Sequence, residues 1–197
     1  MKKIIIAAAV GMLVAGQVAA QESPWLVRVR AAHLDMANKG ATNPDLALSV
    51  NDKTIPELDV SYFFNKNVAA ELVLAVPQKQ VVSAGGAAIG TFNHLPPTLT
   101  LQYHFTDLKG YKPYVGAGLN YTKITNVNLT TGHTLDNDTW GTAFQAGVDI
   151  PLTKQISFNL DVKKVHIKTN VYASNGANGG VLKLDPVIVG VGVGYRF

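Results

Sequence analysis

The stretch VIVGVGVGYRF (187–197) alternates residue by residue. In an extended chain, side chains point to opposite faces with a period of two. Val187, Val189, Val191, Val193, Tyr195 and Phe197 therefore share one face, and Ile188, Gly190, Gly192, Gly194 and Arg196 share the other. The apolar face ends in two aromatics spaced by two. Soluble domains usually trail off in a few polar, loosely held residues. An apolar strand face closed by aromatics is instead what a strand presents where it meets a membrane–water interface.

Seven further segments have the same character: WLVRVRAAHLD (25–35), KTIPELDVSYFF (53–64), VAAELVLAVP (68–77), HLPPTLTLQYHF (94–105), KPYVGAGLNYTKI (112–124), DTWGTAFQAGVDIPL (138–152) and ISFNLDVKKVHIKTNVYA (156–173). The last segment, VLKLDPVIVGVGVGYRF (181–197), makes eight, with no long amphipathic helix between them. Short connections at 65–67, 106–111 and 153–155 alternate with long ones at 36–52, 78–93, 125–137 and 174–180. All long loops then gather at one end. The pattern predicts an all-β fold: an eight-stranded antiparallel transmembrane β-barrel with short periplasmic turns and long extracellular loops. A soluble lipocalin-like barrel would turn its apolar faces inward. Trp25, Tyr62, Phe64, Tyr103, Phe105, Tyr195 and Phe197 all fall at the short-turn ends of apolar faces, as an outward aromatic girdle requires.

The first twenty residues read as a secretory signal peptide: MKK, then the apolar run IIIAAAVGMLVAG, then small residues before a cut after Ala20. The barrel domain is expected at 21–197. Without Lys2 and Lys3, Lys plus Arg falls from 17 to 15 against 13 acids, too little surplus to argue for nucleic acid. With no cysteine, an exported chain must hold together without disulfides.

An eight-stranded barrel is barely wide enough for its own side chains. Alternation turns Arg28, Arg30, Lys163 and Arg196 inward with Asp59, Glu71, Asp149 and Asp161. Four cations and four anions so confined are expected to pair, because an unpaired buried charge is costly. Above this charge layer the inward positions turn apolar: Leu34, Ile55, Val73, Val165 and Ile167, with Ala75 and Val171. Membrane insertion does not need apolar residues inside, so they suggest a pocket for an apolar ligand; packing in a narrow barrel is the plainer cause. The stretch DVKKVH (161–166) has room for a bulge that would swap these faces.

His94, Leu95, Pro96 and Pro97 form the sharpest local feature. Proline cannot donate to a β-ladder. Two in succession predict incomplete pairing near the outer end of the fourth segment, and so a lateral opening in the wall; a kink without a gap is the alternative. Pro56 and Pro77 would enlarge the irregular region. Lys164 and Lys168 fall on the outward face beyond Ile156, Phe158, Leu160 and Val162, at a height suited to lipopolysaccharide phosphates. His33, His94, His104, His133 and His166 are dispersed and lack metal-ligand spacing. No nucleophile–base constellation stands out, and GAGLN (116–120) is not followed by a helix and so is no phosphate loop. Neither cofactor, metal nor catalysis is expected.

HLPPT (94–98), KPYVGAGLNYT (112–122), DTWGTAFQAGVD (138–149), LDP (184–186) and GYRF (194–197) together resemble the OmpW family, in the expected order and across the mature chain. The resemblance implies an eight-stranded barrel in the Gram-negative outer membrane. It also implies a narrow, mostly hydrophobic channel entered from outside and serving passive uptake of small apolar molecules. Some family members serve alkane uptake and some are bacteriocin receptors; many carry a large aromatic where Lys163 stands here. Tyr195 and Phe197 resemble the assembly signal read by the barrel assembly machinery. The expected function is therefore binding of small hydrophobic molecules and their passage across the outer membrane by lateral exit into lipid. The alternative is a closed structural or surface-interaction barrel, a receptor for bacteriocin or phage or an adhesin.

Overall fold

The computed structural model describes residues 23–43 and 45–197, so the expected signal peptide lies outside the described residues. The strands are β1 (Trp25–Asp35), β2 (Lys39–Thr42), β3 (Leu48–Val50), β4 (Lys53–Phe63), β5 (Val68–Ala75), β6 (Gln78–Ala84), β7 (Ala87–Leu95), β8 (Thr98–His104), β9 (Lys112–Leu129), β10 (Thr134–Leu135), β11 (Asp138–Pro151), β12 (Ile156–Val165), β13 (Lys168–Tyr172), β14 (Asn178–Lys183) and β15 (Val187–Arg196). Eight of them, β1, β4, β5, β8, β9, β11, β12 and β15, close into an antiparallel barrel, each paired with the next and β15 returning to β1. Closure leaves the membrane level without an open sheet edge, as lipid requires.

The alternation seen in 187–197 is realised. Val189, Val191 and Val193 face outward, with Leu99, Leu101, Leu119, Phe144, Leu160 and Val162 exposed on neighbouring strands. Polar and charged side chains are buried inside. At the short-turn end Trp25, Tyr62 and Phe64 meet edge to face with centroids 4.9 and 5.4 Å apart, and Tyr103–Phe105 and Tyr195–Phe197 do so at 5.1 Å each. That is the aromatic girdle.

The long connections differ from expectation. They hold β2, β3, β6, most of β7, β10 and the start of β14, and β9 runs on to Leu129. β3, β6 and β7 continue one wall upward from β9, while β10, β13, β14 and β2 form a second sheet. The physical reason is an inward apolar stripe these segments share with the upper barrel: Val82, Phe92, Ile124, Leu129, Val171 and Leu182 pack into one core. Asp136 ties β10 to β13, accepting from the Asn170 backbone N–H at 2.9 Å and the Tyr172 hydroxyl at 3.0 Å; the second bond raises the Tyr172 pKa.

Three of the expected segments are also divided. The final one breaks at 184–186 into β14 and β15, and the seventh at 166–167 into β12 and β13. The face swap for which DVKKVH has room does not occur. Lys163, Val165, Ile167, Thr169 and Val171 are all buried, and the irregularity falls instead at Val171/Tyr172. HLPP does not lie within a single strand: His94 and Leu95 end β7, and the two prolines join it to β8.

Candidate functional site

The lumen has three features. The lowest is ionic. The Arg28 guanidinium grips Asp149 through two nitrogens, at 2.7 and 3.1 Å, and reaches Asp59 Oδ1 and Glu71 Oε2 at 3.1 Å each. Arg30 lies above it, with Nε 2.9 Å from Glu57 and Nη2 2.6 Å from Asp59 Oδ2. Lys163 Nζ adds Glu57 at 3.0 Å and Asp161 at 3.6 Å. All these side chains are at most 7% exposed.

The membership departs from the expected set in two ways. Arg196 is not in the layer. It stands at the periplasmic rim, half-buried, its Nε donating to Ser23 O at 3.0 Å and its guanidinium 4.2 Å from the Phe63 ring centroid. As the last residue of β15, paired with Leu26, it stands at the mouth, one level below Arg28. Glu57, left out of the expected set, lies in the layer and bridges Arg30 and Lys163. The layer therefore joins three cations, Arg28, Arg30 and Lys163, to five carboxyl groups. Neutral donors meet the surplus. The Tyr114 hydroxyl donates to Asp161 at 2.7 Å, Gln145 Nε2 to Glu71 at 2.9 Å and Asp161 at 2.7 Å, and Asn159 Nδ2 to Asp149 at 2.9 Å. Alternation alone places Tyr114, Gln145 and Asn159 inside, so the signal for them was present in the sequence.

The glycines opposite make this layer possible. A Cβ on Gly190 would lie 3.2 Å from Arg30 Cδ, on Gly192 2.7 Å from Arg30 Cγ, and on Gly194 3.2 Å from Arg28 Cγ. The side-chain-free face of β15 is the space into which both arginine stems fold. Beneath, His104 stacks on Tyr114 and packs against Phe63, with centroids 4.9 and 4.8 Å apart. The periplasmic end is thus plugged.

Above the layer lies a narrow crevice. Leu34, Ile55, Val73, Val165 and Ile167 all line it, over a floor of Glu57 and Lys163. His94, Pro96, Thr98 and Asn120 form one side, with His94 Nδ1 lacking a hydrogen-bond partner. Its free volume is about 20 Å³, near what one water needs. A larger occupant has to move side chains.

The third feature is a break in the wall. The β5–β8 ladder ends at Val73↔Thr98 and resumes as β6–β7 at Gln78↔His94, shifted by one residue. Between them, Leu74–Pro77 face Leu95–Pro97 without ladder pairing. On the other side of β5, the β4–β5 ladder stops at Glu57↔Ala75, just short of Pro56. Asn120 Nδ2 occupies the carbonyls of Pro96 and Pro97, at 3.2 and 3.1 Å, and so replaces part of the missing ladder from inside. Of the HLPP residues His94 and Pro96 border the crevice, whereas Leu95, which pairs with Lys123 of β9, and Pro97 do not. Of the outward lysines, Lys168 is exposed, whereas Lys164 is half-buried with its ammonium donating to Asp185 O.

A closed barrel with an apolar, girdled exterior and a polar, plugged interior is a membrane-spanning β-barrel of the bacterial outer-membrane class. More narrowly, the chain belongs to the OmpW family, whose model matches residues 14–197. It is 44% identical to an uncharacterized outer-membrane protein, y4mB, of Sinorhizobium fredii, over 91% of this chain and 82% of that one. To outer membrane protein W of Escherichia coli it is 33% identical over the full length of both. A relative at 27% identity, covering 90% of each chain, is the dibenzothiophene metabolism operon protein PahQ of Pseudomonas aeruginosa. Among solved structures, the outer membrane protein OprG of P. aeruginosa superposes with a TM-score of 0.76 at 25% identity, over 90% of this chain and 98% of that one. The protein is an integral outer-membrane barrel.

Proposed function

We propose that this barrel takes up small apolar molecules at its outer end and releases them sideways into the membrane. The observation that carries this reading is the conjunction of an apolar crevice with the break beside it, directly above a plugged base. An apolar molecule in the crevice meets lipid through the wall and ion pairs below. The first way is downhill and the second separates buried charges. Leu34, Ile55, Val73, Val165 and Ile167 act as its lining, and His94, Leu95, Pro96 and Pro97 as the lateral exit. The relation to PahQ, a protein of a dibenzothiophene metabolism operon, supports a small fused-ring aromatic as cargo. Tyr195 and Phe197 serve recognition by the barrel assembly machinery, and lipopolysaccharide is the outer-leaflet partner.

The test is uptake of naphthalene into proteoliposomes holding the purified chain. Uptake faster than in protein-free vesicles supports the reading; equal rates refute it. The tight packing of the crevice favours a second reading, a closed barrel that presents its upper sheets to bacteriocin, phage or host. That reading predicts no uptake.

A further inference from the structure

On the outer wall, β11 and β12 part company at Ala143↔Val165. One more bond, His166 N–H to Thr142 O at 2.9 Å, holds them. Above it the chain passes into β13, which pairs with β10 and β14 instead. The divergence leaves a cleft of about 340 Å³, flanked by Trp140 and Thr142 on one side and by His166, Lys168 and Lys183 on the other.

Two further facts single this cleft out. First, Lys168 stands directly opposite Lys183 in the β13–β14 ladder, and Lys183 directly opposite Lys39 in the β14–β2 ladder. Cross-strand partners share a face, so three exposed ammonium groups form a row across strands about 4.8 Å apart. Like charges directly opposite one another destabilise a sheet. Among the described residues none of the three has a carboxylate partner; the nearby Asp185 carboxylate accepts from the Ile167 backbone N–H at 2.9 Å. Second, Trp140 is 66% exposed across the cleft, its ring 5.0 Å from Tyr121. Fold stability does not account for an unpaired lysine row, and the indole beside it stands where aromatics meet lipid head groups.

Their height identifies the occupant. The outward face of β12, Ile156 to Val162, is apolar, and its ten residues cross the hydrocarbon band. Lys168 lies just beyond, level with the head groups. The geometry points to a lipopolysaccharide site, its acyl chains on the apolar wall, its phosphates on the row Lys39–Lys183–Lys168, and a sugar ring against Trp140. This rests on lipopolysaccharide being the outer-leaflet partner.

The chain has two tryptophans, so Trp25→Phe leaves Trp140 as the sole tryptophan, excited selectively at the red edge of its band. Rough lipopolysaccharide is titrated into this variant in micelles with a chelator present, so that no divalent ion bridges the phosphates. A saturable blue shift is expected. Lys168→Glu with Lys183→Glu should raise the half-saturating concentration about tenfold or more, and Lys→Arg at both should restore it. Heat-modifiable migration checks that each variant is folded; where the glutamates prevent folding, alanines at both positions take their place. Dephosphorylated lipid A should bind far more weakly. Equal binding by the reversed variant overturns the site while leaving the partner intact, and means these lysines are only solvated charge. Binding by dephosphorylated lipid A at full strength, or an equal shift with inorganic phosphate, also overturns it. No binding to the unreversed chain removes partner and site together; naphthalene uptake is unaffected by any of these outcomes.

Discussion

Arg28 is fully buried and held by three carboxylates, Asp59, Glu71 and Asp149, with the Tyr114 ring 5.3 Å from its guanidinium. Removing it would leave three buried acids short of a cation. Breaking a buried ion pair from one side costs about 3–5 kcal/mol, more than surface pairs are worth. Arg28→Met should therefore lower the unfolding free energy by about that much, read from urea unfolding in micelles. Arg28→Lys should recover only part, since an ammonium cannot grip Asp149 with two nitrogens. The alternation of β1 and β4 made this layer legible: Arg28, Arg30 and Asp59 could be assigned inward from period two alone. What alternation could not give is depth. Arg196 has the parity of a lumen residue but sits at the mouth, where Ser23 O and the Phe63 ring receive it. Glu57 has the same parity as Asp59, and only its depth beside Arg30 and Lys163 brings it into the layer; three cations against five carboxyl groups need Tyr114, Gln145 and Asn159 to close the set.

At the scale of the strand, the two prolines are not equivalent. His104 N–H bonds to Asn67 O at 2.6 Å and Phe105 N–H to Pro113 O at 2.8 Å, so even-numbered residues of the β8 register hydrogen-bond toward β5 and odd-numbered ones toward β9. The missing N–H of Pro96 thus faces the Ala75 carbonyl, while that of Pro97 faces Tyr121, whose own N–H still bonds to Pro97 O at 3.0 Å. Pro96 holds the wall open toward β5. Pro96→Val should extend the β5–β8 ladder and slow naphthalene uptake severalfold; Pro97→Val should leave it nearly unchanged. Equal effects from both would place the exit elsewhere. Sequence revealed that HLPP interrupts a ladder, but not that the ladder resumes above it. The stretches 78–93 and 125–137 look like loops because glycine, asparagine and threonine dilute their period. Only the shared core of Val82, Phe92 and Ile124 makes them strands. Phe197 closes β15 with a ring contact to Tyr195 at 5.1 Å and a backbone bond to Trp25 O at 3.3 Å. Deleting it removes little folding energy, so refolding into micelles should be almost normal. Its level in outer membranes should nevertheless fall sharply if the assembly machinery reads that residue. Equal loss in both assays would reduce Phe197 to a rim anchor.

Over the whole molecule the barrel divides its length into three zones. The girdled base is plugged by ion pairs and stacked rings, the middle is an apolar crevice breached on one side, and the top is a pair of sheets raised beyond the lipid. Closed packing below and a broken ladder beside the crevice set two possible routes against each other. A molecule going straight through must part Arg30 and Lys163 from Glu57 and Asp161, and no apolar permeant can replace the bonds lost. That adds several kcal/mol to the barrier for each group left unpaired. A molecule leaving past Pro96 breaks no ion pair and emerges in hydrocarbon; the polar groups on its way are His94, Thr98 and Asn120. The two routes respond oppositely to loosening the base. Asp59→Asn with Glu71→Gln keeps the shape of the layer but removes two of Arg28's three anionic partners and weakens those of Arg30. Stability in urea should drop by about 3 kcal/mol or more, while naphthalene uptake stays within about twofold of the unaltered chain, since a lateral route never touches these groups. An uptake rate that climbs as the base loosens would place the route through the barrel, and the break at Pro96 would then be a kink in a wall that nothing crosses.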